Sequence, residues 1–278
     1  MDVARGCCVS EPEGMPQGEE LWKRILAESA REARKESALA SFLYLTVLSR
    51  KSLADVLAFH LSTKLSSSVM DSRSLYVVFS EALKESPEIG LAAEADLRAH
   101  FSRDPACTAY MQPLLYFKGF HALQAHRINH WLWGQNRKTL AFFLQNRISE
   151  VFSIDIHPQA RFGKGIMIDH GTGIVVGQTA VLGDGISILH GVTLGGSGKE
   201  SGDRHPKIGD GVMIGAQASI LGNIKVGKCA KIGAGSVVVD DVPPYVTAVG
   251  IPAKIVGKPQ TGAVPADLMD QYIDDADS

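Results

Sequence analysis

The sequence predicts an α+β protein in which an all-helical N-terminal domain is followed by a left-handed parallel β-helix of hexapeptide repeats. The first observation is an aliphatic or aromatic residue that recurs every six positions, beginning at Ile156. The second is a companion column of aliphatic or small residues four places further along. A fixed period of six is typical of a β-helix in which each unit forms one short strand and one corner. The third is a helical pattern that ends where this repeat begins.

The six-residue column is broken by a two-residue slip and by one polar insertion. Its members are Ile156, Phe162, Ile168, Val176, Leu182, Ile188, Leu194, Ile208, Ile214, Ile220, Val226, Ile232 and Val238. Three units make one triangular coil, so we expect these side chains to stack as ladders inside the prism. The insertion, residues 195–206, is polar and rich in glycine, and we expect it to loop out of the prism.

The helical part is predicted from apolar residues at helical spacing, as at Leu53, Val56 and Leu57 after the candidate N-cap Ser52. We expect six to eight helices, the last leading into the first coil at Ile154, with Gly119 and Gly134 as interruptions and with the domain capping the first coil. Residues 239–258 contain several prolines and are expected to form an extended strand that closes the prism. The predicted division is a mobile N-terminal tail (1–18), a helical domain (19–153), the β-helix (154–260) and a flexible C-terminal tail (261–278).

Composition excludes several kinds of partner. The formal net charge of -2 gives no footprint for nucleic acid. No apolar run approaches the roughly 20 residues that span a bilayer, and the N-terminus does not resemble a secretory signal. The cysteines, Cys7, Cys8, Cys107 and Cys229, show neither disulfide nor zinc spacing. We therefore expect reduced thiols in a cytoplasmic protein.

Two residues of the first coils are candidates for catalysis. Asp155 and His170 are separated by slightly less than one coil of about 18 residues, so they could meet along an edge of the prism. A histidine oriented by a carboxylate is the usual general base for activating a hydroxyl. The alternative is a corner histidine that is satisfied by a local hydrogen bond.

Other patterns do not have the residue spacing that phosphate, dinucleotide or metal binding requires. The insertion lacks the glycine and hydroxyl positions of a phosphate-binding loop, although a solvated loop without function remains an alternative. Gly233 and Gly235 do not complete a dinucleotide fingerprint. His121, His126 and His130 follow helical spacing without a carboxylate partner, so a metal site there is not favoured, and none is expected elsewhere.

At specific motifs the chain resembles the serine O-acetyltransferases. The motifs are residues 103–106, 113–124, 155–158, 169–177 and 202–208. The resemblance implies transfer of the acetyl group of acetyl-CoA to the hydroxyl of L-serine, which gives O-acetyl-L-serine for cysteine biosynthesis. Acetyl-CoA is then a co-substrate, and no permanently bound cofactor is expected.

The resemblance also implies roles for residues at the matching positions. His170 would be the general base and Asp155 its orienting partner. Asp104 and Asp169 would bind the amino acid, and Arg204 and His205 would hold its carboxylate. The coenzyme A strip would be Gly195, Gly196, Ala216 and Ala234, with Lys231 near a nucleotide phosphate. Asp104 has a structural alternative as a helix N-cap before Pro105.

Partners follow from the same resemblance. It implies a homotrimer, or a dimer of trimers, with L-cysteine as an inhibitor at the serine site. Family members often bind O-acetylserine sulfhydrylase through a terminal isoleucine, but here five residues follow Ile273, which argues against that complex. Competing readings are a sugar O-acetyltransferase on the same prism, a hexapeptide carbonic anhydrase and a non-enzymatic scaffold. The charged residues Asp104, Arg204 and His205 disfavour a neutral sugar.

Overall fold

The computed structural model describes residues 14–198, 201–259 and 264–272. Eight α-helices precede the β-helix in this part of the chain, within the predicted range of six to eight. They are α1 (Gly18–Lys35), α2 (Ser37–Leu43), α3 (Leu53–Leu65), α4 (Ser72–Glu85), α5 (Glu88–Arg103), α6 (Met111–Tyr116), α7 (Lys118–Gly134) and α8 (Lys138–Phe152), with a π-helical turn at Tyr44–Leu48. None of the described helices is long and apolar enough to cross a membrane. Most of the predicted N-terminal tail lies outside the described residues.

Local sequence explains where several helices begin and end. The Ser52 side chain accepts a hydrogen bond from the Asp55 N–H at 3.3 Å, which confirms it as the N-cap of α3. Gly134 ends α7, as predicted. Gly119 does not interrupt a helix but lies in the first turn of α7. A Cβ there would stand 2.2 Å from the Ile168 carbonyl oxygen, so this glycine allows α7 to approach the β-helix closely.

The β-helix has three faces built from short strands. The strands are β1 (Ile154–Ile156), β2 (Arg161–Phe162), β3 (Met167–Ile168), β4 (Ile174–Val176), β5 (Val181–Leu182), β6 (Ser187–Ile188), β7 (Thr193–Gly195), β8 (Lys207–Ile208), β9 (Met213–Ile214), β10 (Ser219–Leu221), β11 (Lys225–Val226), β12 (Lys231–Ile232), β13 (Val237–Val238), β14 (Thr247–Gly250) and β15 (Ala253–Gly257). Face 1 has the order β1-β4-β7-β10-β13, face 2 the order β2-β5-β8-β11, and face 3 the order β3-β6-β9-β12-β14-β15.

The strand register confirms the predicted ladders. On face 1, Ile156 pairs with Val176, which pairs with Leu194 in the next coil. On face 3, Ile168 pairs with Ile188 in the same way. These side chains are buried, so the period of six residues is the period of the core. Apart from Gly195, which ends β7, the described residues of the polar insertion fall between β7 and β8 and lie outside the ladders, as predicted.

Side chains of the helical domain cap the open edge of the first coil. His130 donates to the Pro158 carbonyl at 2.8 Å and His126 to the Ala160 carbonyl at 3.1 Å. Arg127 donates to the Gly163 carbonyl at 2.8 Å and also binds Asp96 at 2.8 Å. His126 and His130 of α7 therefore satisfy backbone groups that have no further coil to pair with.

The carboxylate of Asp96 extends this cap from α5. It is fully buried, accepts from the Ile166 N–H and the Gln124 side chain, and pairs with Arg127. A buried carboxylate is tolerated only when it is paired and hydrogen-bonded in this way. The helical domain and the first coil therefore share one polar network.

The C-terminal end differs from its prediction in two respects. Instead of one closing strand, β14 pairs parallel with β12 and then turns back into antiparallel β15. The tail predicted to be flexible contains a short helix, α9 (Pro265–Leu268), whose Ala266 is fully buried. Arg103 of α5 pairs with Asp267 at 2.8 Å, which ties this segment to the helical domain. Residues 264–272 therefore make specific contacts with the helical domain, and the flexibility of the tail stays a prediction.

The cysteines are in two different states. Cys107 is free and buried, and burial raises the pKa of its thiol to about 11, which suppresses the reactive thiolate. Cys229 is bonded in a disulfide, so the prediction of reduced thiols is wrong for this residue. Cys7 and Cys8 lie outside the described residues.

Candidate active site

His170 projects from a bulged corner between β3 and β4. Its backbone has a positive φ of 56°, an uncommon conformation for a residue other than glycine. Gly171 and Gly173 on either side of Thr172 also have positive φ, and a Cβ on Gly171 would stand 2.5 Å from Ile154 Cδ1. The His170 side chain keeps 76% of its surface exposed. A strained backbone that holds an accessible imidazole is a frequent feature of functional sites.

The immediate neighbours of His170 are polar. Its Nε2 lies 3.7 Å from Asp169 Oδ1, and its ring is 6.2 Å from the ring of His190 in the next coil. The Lys118 ammonium of α7 donates to the Thr172 hydroxyl, which joins the helical domain to this corner. Asp169 therefore lies beside the candidate base, where a substrate ammonium could also bind.

Asp155 is near this corner but does not contact His170. Its Oδ1 accepts a hydrogen bond from Gln145 Nε2 of α8 at 2.7 Å. Within the described residues, neither a hydrogen bond nor an ion pair joins Asp155 to His170, so the direct pairing expected from the spacing is not made in this structure. The two residues do border the same face, because β4 follows the His170 corner and places Val175 beside Asp155.

The opposite edge of face 1 carries Arg204 and His205. His205 is 6% exposed, and its Nδ1 lies 2.9 Å from Thr179 Oγ1 and 3.2 Å from the Thr179 backbone nitrogen. A Cβ on Gly177 would stand 2.0 Å from the His205 ring, so the ring occupies the space that this glycine leaves open. Burial lowers the pKa of His205, and the positive charges of Arg204 and Lys207 act in the same direction. The imidazole is therefore neutral near pH 7.

The Arg204 guanidinium is held by neutral partners. It donates to Gln178 Oε1 and to the Gly202 carbonyl, each at 3.3 Å, and Gln178 in turn donates to Gln159 Oε1 at 2.8 Å. Among the described residues no carboxylate forms an ion pair with Arg204. Its charge is thus available to an external anion, and guanidinium groups bind carboxylates with two parallel hydrogen bonds.

Asp104 closes helix α5 and does not open another helix. Its Oδ1 accepts from the Ala106 N–H at 2.8 Å, and its backbone N–H donates to the His100 carbonyl at 3.1 Å. The N-cap alternative is therefore wrong, because the helix ends at this residue. The adjacent Arg103 donates to the Gly165 carbonyl of the β-helix, so Asp104 lies where α5 meets the prism.

The residues predicted to hold coenzyme A are spread over two edges. Ala216 and Ala234 follow face-3 strands on successive coils, where the Gly235 N–H donates to the Ala216 carbonyl at 2.8 Å. Ala216 and Ala234 therefore lie on the same edge of the prism as His170. Gly195 ends β7 and Gly196 follows it, on the edge of Arg204, whose side chain would lie 3.4 Å from a Cβ on Gly196.

Lys231 lies apart from this strip, on face 3. It is 6% exposed, and its ammonium contacts Asp270 at 3.4 Å and the Tyr272 carbonyl oxygen. The predicted phosphate contact would require these C-terminal residues to move away. The sequence did not indicate Thr179 or Gln145, because corner and helix residues of these types carry no periodic signal.

This architecture and its histidine corner define a hexapeptide-repeat acyltransferase. Family models match the serine acetyltransferase N-terminal domain over residues 21–125 and the bacterial transferase hexapeptide over residues 205–240. The serine acetyltransferase of Escherichia coli K12 is 55% identical over 252 residues, which are 91% of this chain and 92% of the relative. The chain belongs to the serine acetyltransferase family.

Solved structures agree with this assignment. The crystal structure of Neisseria gonorrhoeae serine acetyltransferase is 63% identical with a TM-score of 0.87, covering 91% of this chain and 98% of the other. A serine acetyltransferase in complex with cysteine is 53% identical with a TM-score of 0.89, covering 91% and 98%. The Neisseria gonorrhoeae enzyme in complex with serine is 64% identical with a TM-score of 0.83, covering 85% and 97%.

Proposed function

We propose that this enzyme transfers the acetyl group of acetyl-CoA to the hydroxyl of L-serine, with His170 as the general base. The observation that carries the proposal is the placement of an exposed imidazole on one edge of face 1 and, on the other, a guanidinium that forms no ion pair with any described carboxylate. The imidazole can accept a proton, and the guanidinium can hold a carboxylate. A similar serine acetyltransferase has been solved with serine bound, which supports the choice of acceptor.

The reaction needs one proton carrier. Neutral His170 takes the proton of the serine hydroxyl as the oxygen attacks the thioester carbonyl of acetyl-CoA. Backbone N–H groups near Gly196 stabilise the oxyanion of the tetrahedral intermediate. When that intermediate collapses, the carbon–sulfur bond breaks and His170 returns the proton to the thiolate of coenzyme A. Asp155, on the adjoining strand, supplies negative charge that favours the transient imidazolium.

The charged groups select an amino acid as acceptor. In the proposed trimer the Arg204 edge of one prism meets the His170 edge of its neighbour. Arg204 and the Nε2–H of His205 of one subunit then bind the serine carboxylate, while Asp104 and Asp169 of the other attract its ammonium group. A neutral sugar has no charged ends to match these four side chains, which disfavours the sugar O-acetyltransferase alternative. The small residues Gly195, Gly196, Ala216 and Ala234 leave room for the pantetheine chain beside the backbone.

We also propose three further properties that rest on the same family. The enzyme is a trimer or a dimer of trimers, with acetyl-CoA in a groove between prisms, and it acts in the cytoplasm. L-cysteine competes with serine, because the two amino acids differ only in the thiol that replaces the hydroxyl. A similar serine acetyltransferase has been solved in complex with cysteine, which supports this inhibition.

An acceptor panel and one variant test the function. Purified enzyme is incubated with acetyl-CoA and either L-serine, L-homoserine or simple sugars, and the released thiol is measured. His170→Ala is expected to lower kcat by ~10²–10⁴-fold while acetyl-CoA still binds. Lys84→Ala, which removes an exposed side chain of α4 in the helical domain, is the control and keeps activity. Faster acetylation of a sugar than of serine would refute the acceptor. A His170→Ala variant that keeps more than about half of the kcat would refute the base.

A further inference from the structure

We propose that Thr179 is a positioning residue for substrate recognition, whose hydroxyl orients the Arg204–His205 pair and, together with the Thr179 N–H, sets the tautomer of His205. This inference rests on the proposed function, in which those two residues hold the carboxylate of the acceptor. Thr179 lies in the corner after β4, one coil away from the end of the polar insertion. It touches no substrate in the proposed mechanism and acts through its neighbours.

The Thr179 hydroxyl makes three contacts with the dipeptide. Its oxygen accepts from the Arg204 N–H at 3.0 Å and from the His205 N–H at 3.1 Å. These two bonds use both acceptor positions of the hydroxyl. Its single O–H is left to donate to His205 Nδ1, which lies 2.9 Å away. One hydroxyl therefore fixes two backbone positions and one ring.

These contacts determine which ring nitrogen of His205 carries the proton. The Thr179 N–H also donates to Nδ1 at 3.2 Å, so this nitrogen accepts from a backbone donor that cannot reverse its role. Nδ1 is therefore unprotonated, and in the neutral imidazole the proton lies on Nε2. The proton on Nε2 makes His205 a hydrogen-bond donor without any positive charge. A carboxylate only accepts hydrogen bonds, so it needs a partner that donates one.

Lys207 also binds Thr179 and the end of the polar insertion. Lys207 Nζ donates to the Thr179 carbonyl at 3.0 Å, to the His205 carbonyl at 2.6 Å and to Asp203 Oδ1 at 2.6 Å. The backbone and the side chain of Thr179 are thus both bonded to the end of the insertion. Gly177 completes the arrangement, because a Cβ there would overlap the His205 ring and prevent this placement.

Loss of the hydroxyl should affect serine and not acetyl-CoA. In Thr179→Val the two backbone N–H groups lose their acceptor, and Nδ1 loses its hydroxyl donor while the shape of the side chain is kept. The backbone N–H of residue 179 still donates to Nδ1, so the tautomer is kept, but the imidazole is no longer held by the hydroxyl and can tilt away from the carboxylate. We expect the KM for serine to rise about ten-fold, the effect of about one net hydrogen bond.

Kinetics with three variants tests the proposal. Thr179→Val is compared with Thr179→Ser, which keeps the hydroxyl, and with Thr63→Val, which makes the same change on an exposed helix position where the hydroxyl donates to the Phe59 carbonyl. We expect Thr179→Ser and Thr63→Val to keep the wild-type KM for serine within about two-fold. The kcat and the KM for acetyl-CoA should change little in all three. An unchanged KM for serine in Thr179→Val, or an equal rise for both substrates, would overturn the proposal.

Nitrogen NMR of the imidazole gives a readout that does not depend on turnover. In wild-type enzyme with ¹⁵N-labelled histidine, the His205 resonances, assigned by their loss in His205→Gln, should show the Nε2–H tautomer across neutral pH. The Nδ1–H tautomer in the wild type would overturn the proposal. If the enzyme did not acetylate serine at all, the proposed function would fail, while the tautomer would still test the contacts between Thr179 and His205.

Discussion

Gly177→Ala tests how closely the position of His205 controls the reaction. The added Cβ would stand 2.0 Å from Cδ2 and 2.1 Å from Nε2 of the imidazole. Non-bonded carbon atoms favour separations of about 3.5–4.0 Å, so the ring must retreat by about 1.5 Å. It cannot do so freely, because Thr179 holds Nδ1 on the other side.

The expected loss follows from that displacement. A shift of about 1 Å in a positioned group can cost ~10²-fold in rate, so we expect kcat/KM for serine to fall about 10²-fold. This equals about 2.7 kcal/mol of transition-state stabilisation. The assay is steady-state release of coenzyme A thiol at varied serine and saturating acetyl-CoA, with melting temperature as a check on folding.

A matched glycine variant controls for the general effect of the added methyl group. Gly90→Ala places a Cβ in α5 where nothing lies within 4 Å, and it should leave kcat/KM unchanged. If Gly177→Ala folded normally and kept wild-type kcat/KM for serine, the position of His205 would not control serine recognition. The assignment of the carboxylate site would then be wrong.

Two further predictions concern stability. Asp96→Ala leaves the buried guanidinium of Arg127 without its partner, and we expect a loss of about 3–5 kcal/mol in the free energy of unfolding by urea. Glu81→Ala, which removes the exposed partner of Arg137, is the control and should cost less than about 1 kcal/mol; equal losses would contradict the role of the buried pair. Burial lowers the pKa of His60 from 6.5 to about 4, so the unfolded chain binds the proton more tightly. Stability is therefore expected to fall as the pH drops from about 6.5 to 4, by roughly 3 kcal/mol from this residue, and His60→Gln should flatten that slope in urea titrations. An unchanged slope would show that His60 does not titrate as a buried group.

The fold was largely predictable because the period of the sequence is also the period of the structure. Every residue of the column that begins at Ile156 lies at an equivalent place in its hexapeptide, and strand pairing brings together members that are three units apart, as Ile156 and Val176. A helix that ends before Ile154 could likewise be read from spacing alone. Because the repeat units share one pattern, the assignment of one unit supports the assignment of the others. An irregular domain gives no such support.

The site was less predictable because its contacts join segments that follow no common pattern. The spacing predicted that Asp155 and His170 could meet along an edge of the prism, but it could not show that Gln145 of the preceding helix binds the carboxylate. Lys231 occupies a regular position in the repeat, yet its ammonium meets Asp270, 39 residues later in the chain. Gly119 looked like a helix breaker because a sequence does not show what the helix will approach.

The side chains of α7 that bond the carbonyls of the first coil have a consequence for assembly. A parallel stack of strands with bare peptide groups at its end is a template on which further strands, or another copy of the same stack, can grow. His126, Arg127 and His130 occupy several of the carbonyl oxygens from which such growth would start. We therefore expect the helical domain to protect the solenoid from end-to-end polymerisation. An isolated β-helix without this domain is expected to form fibres.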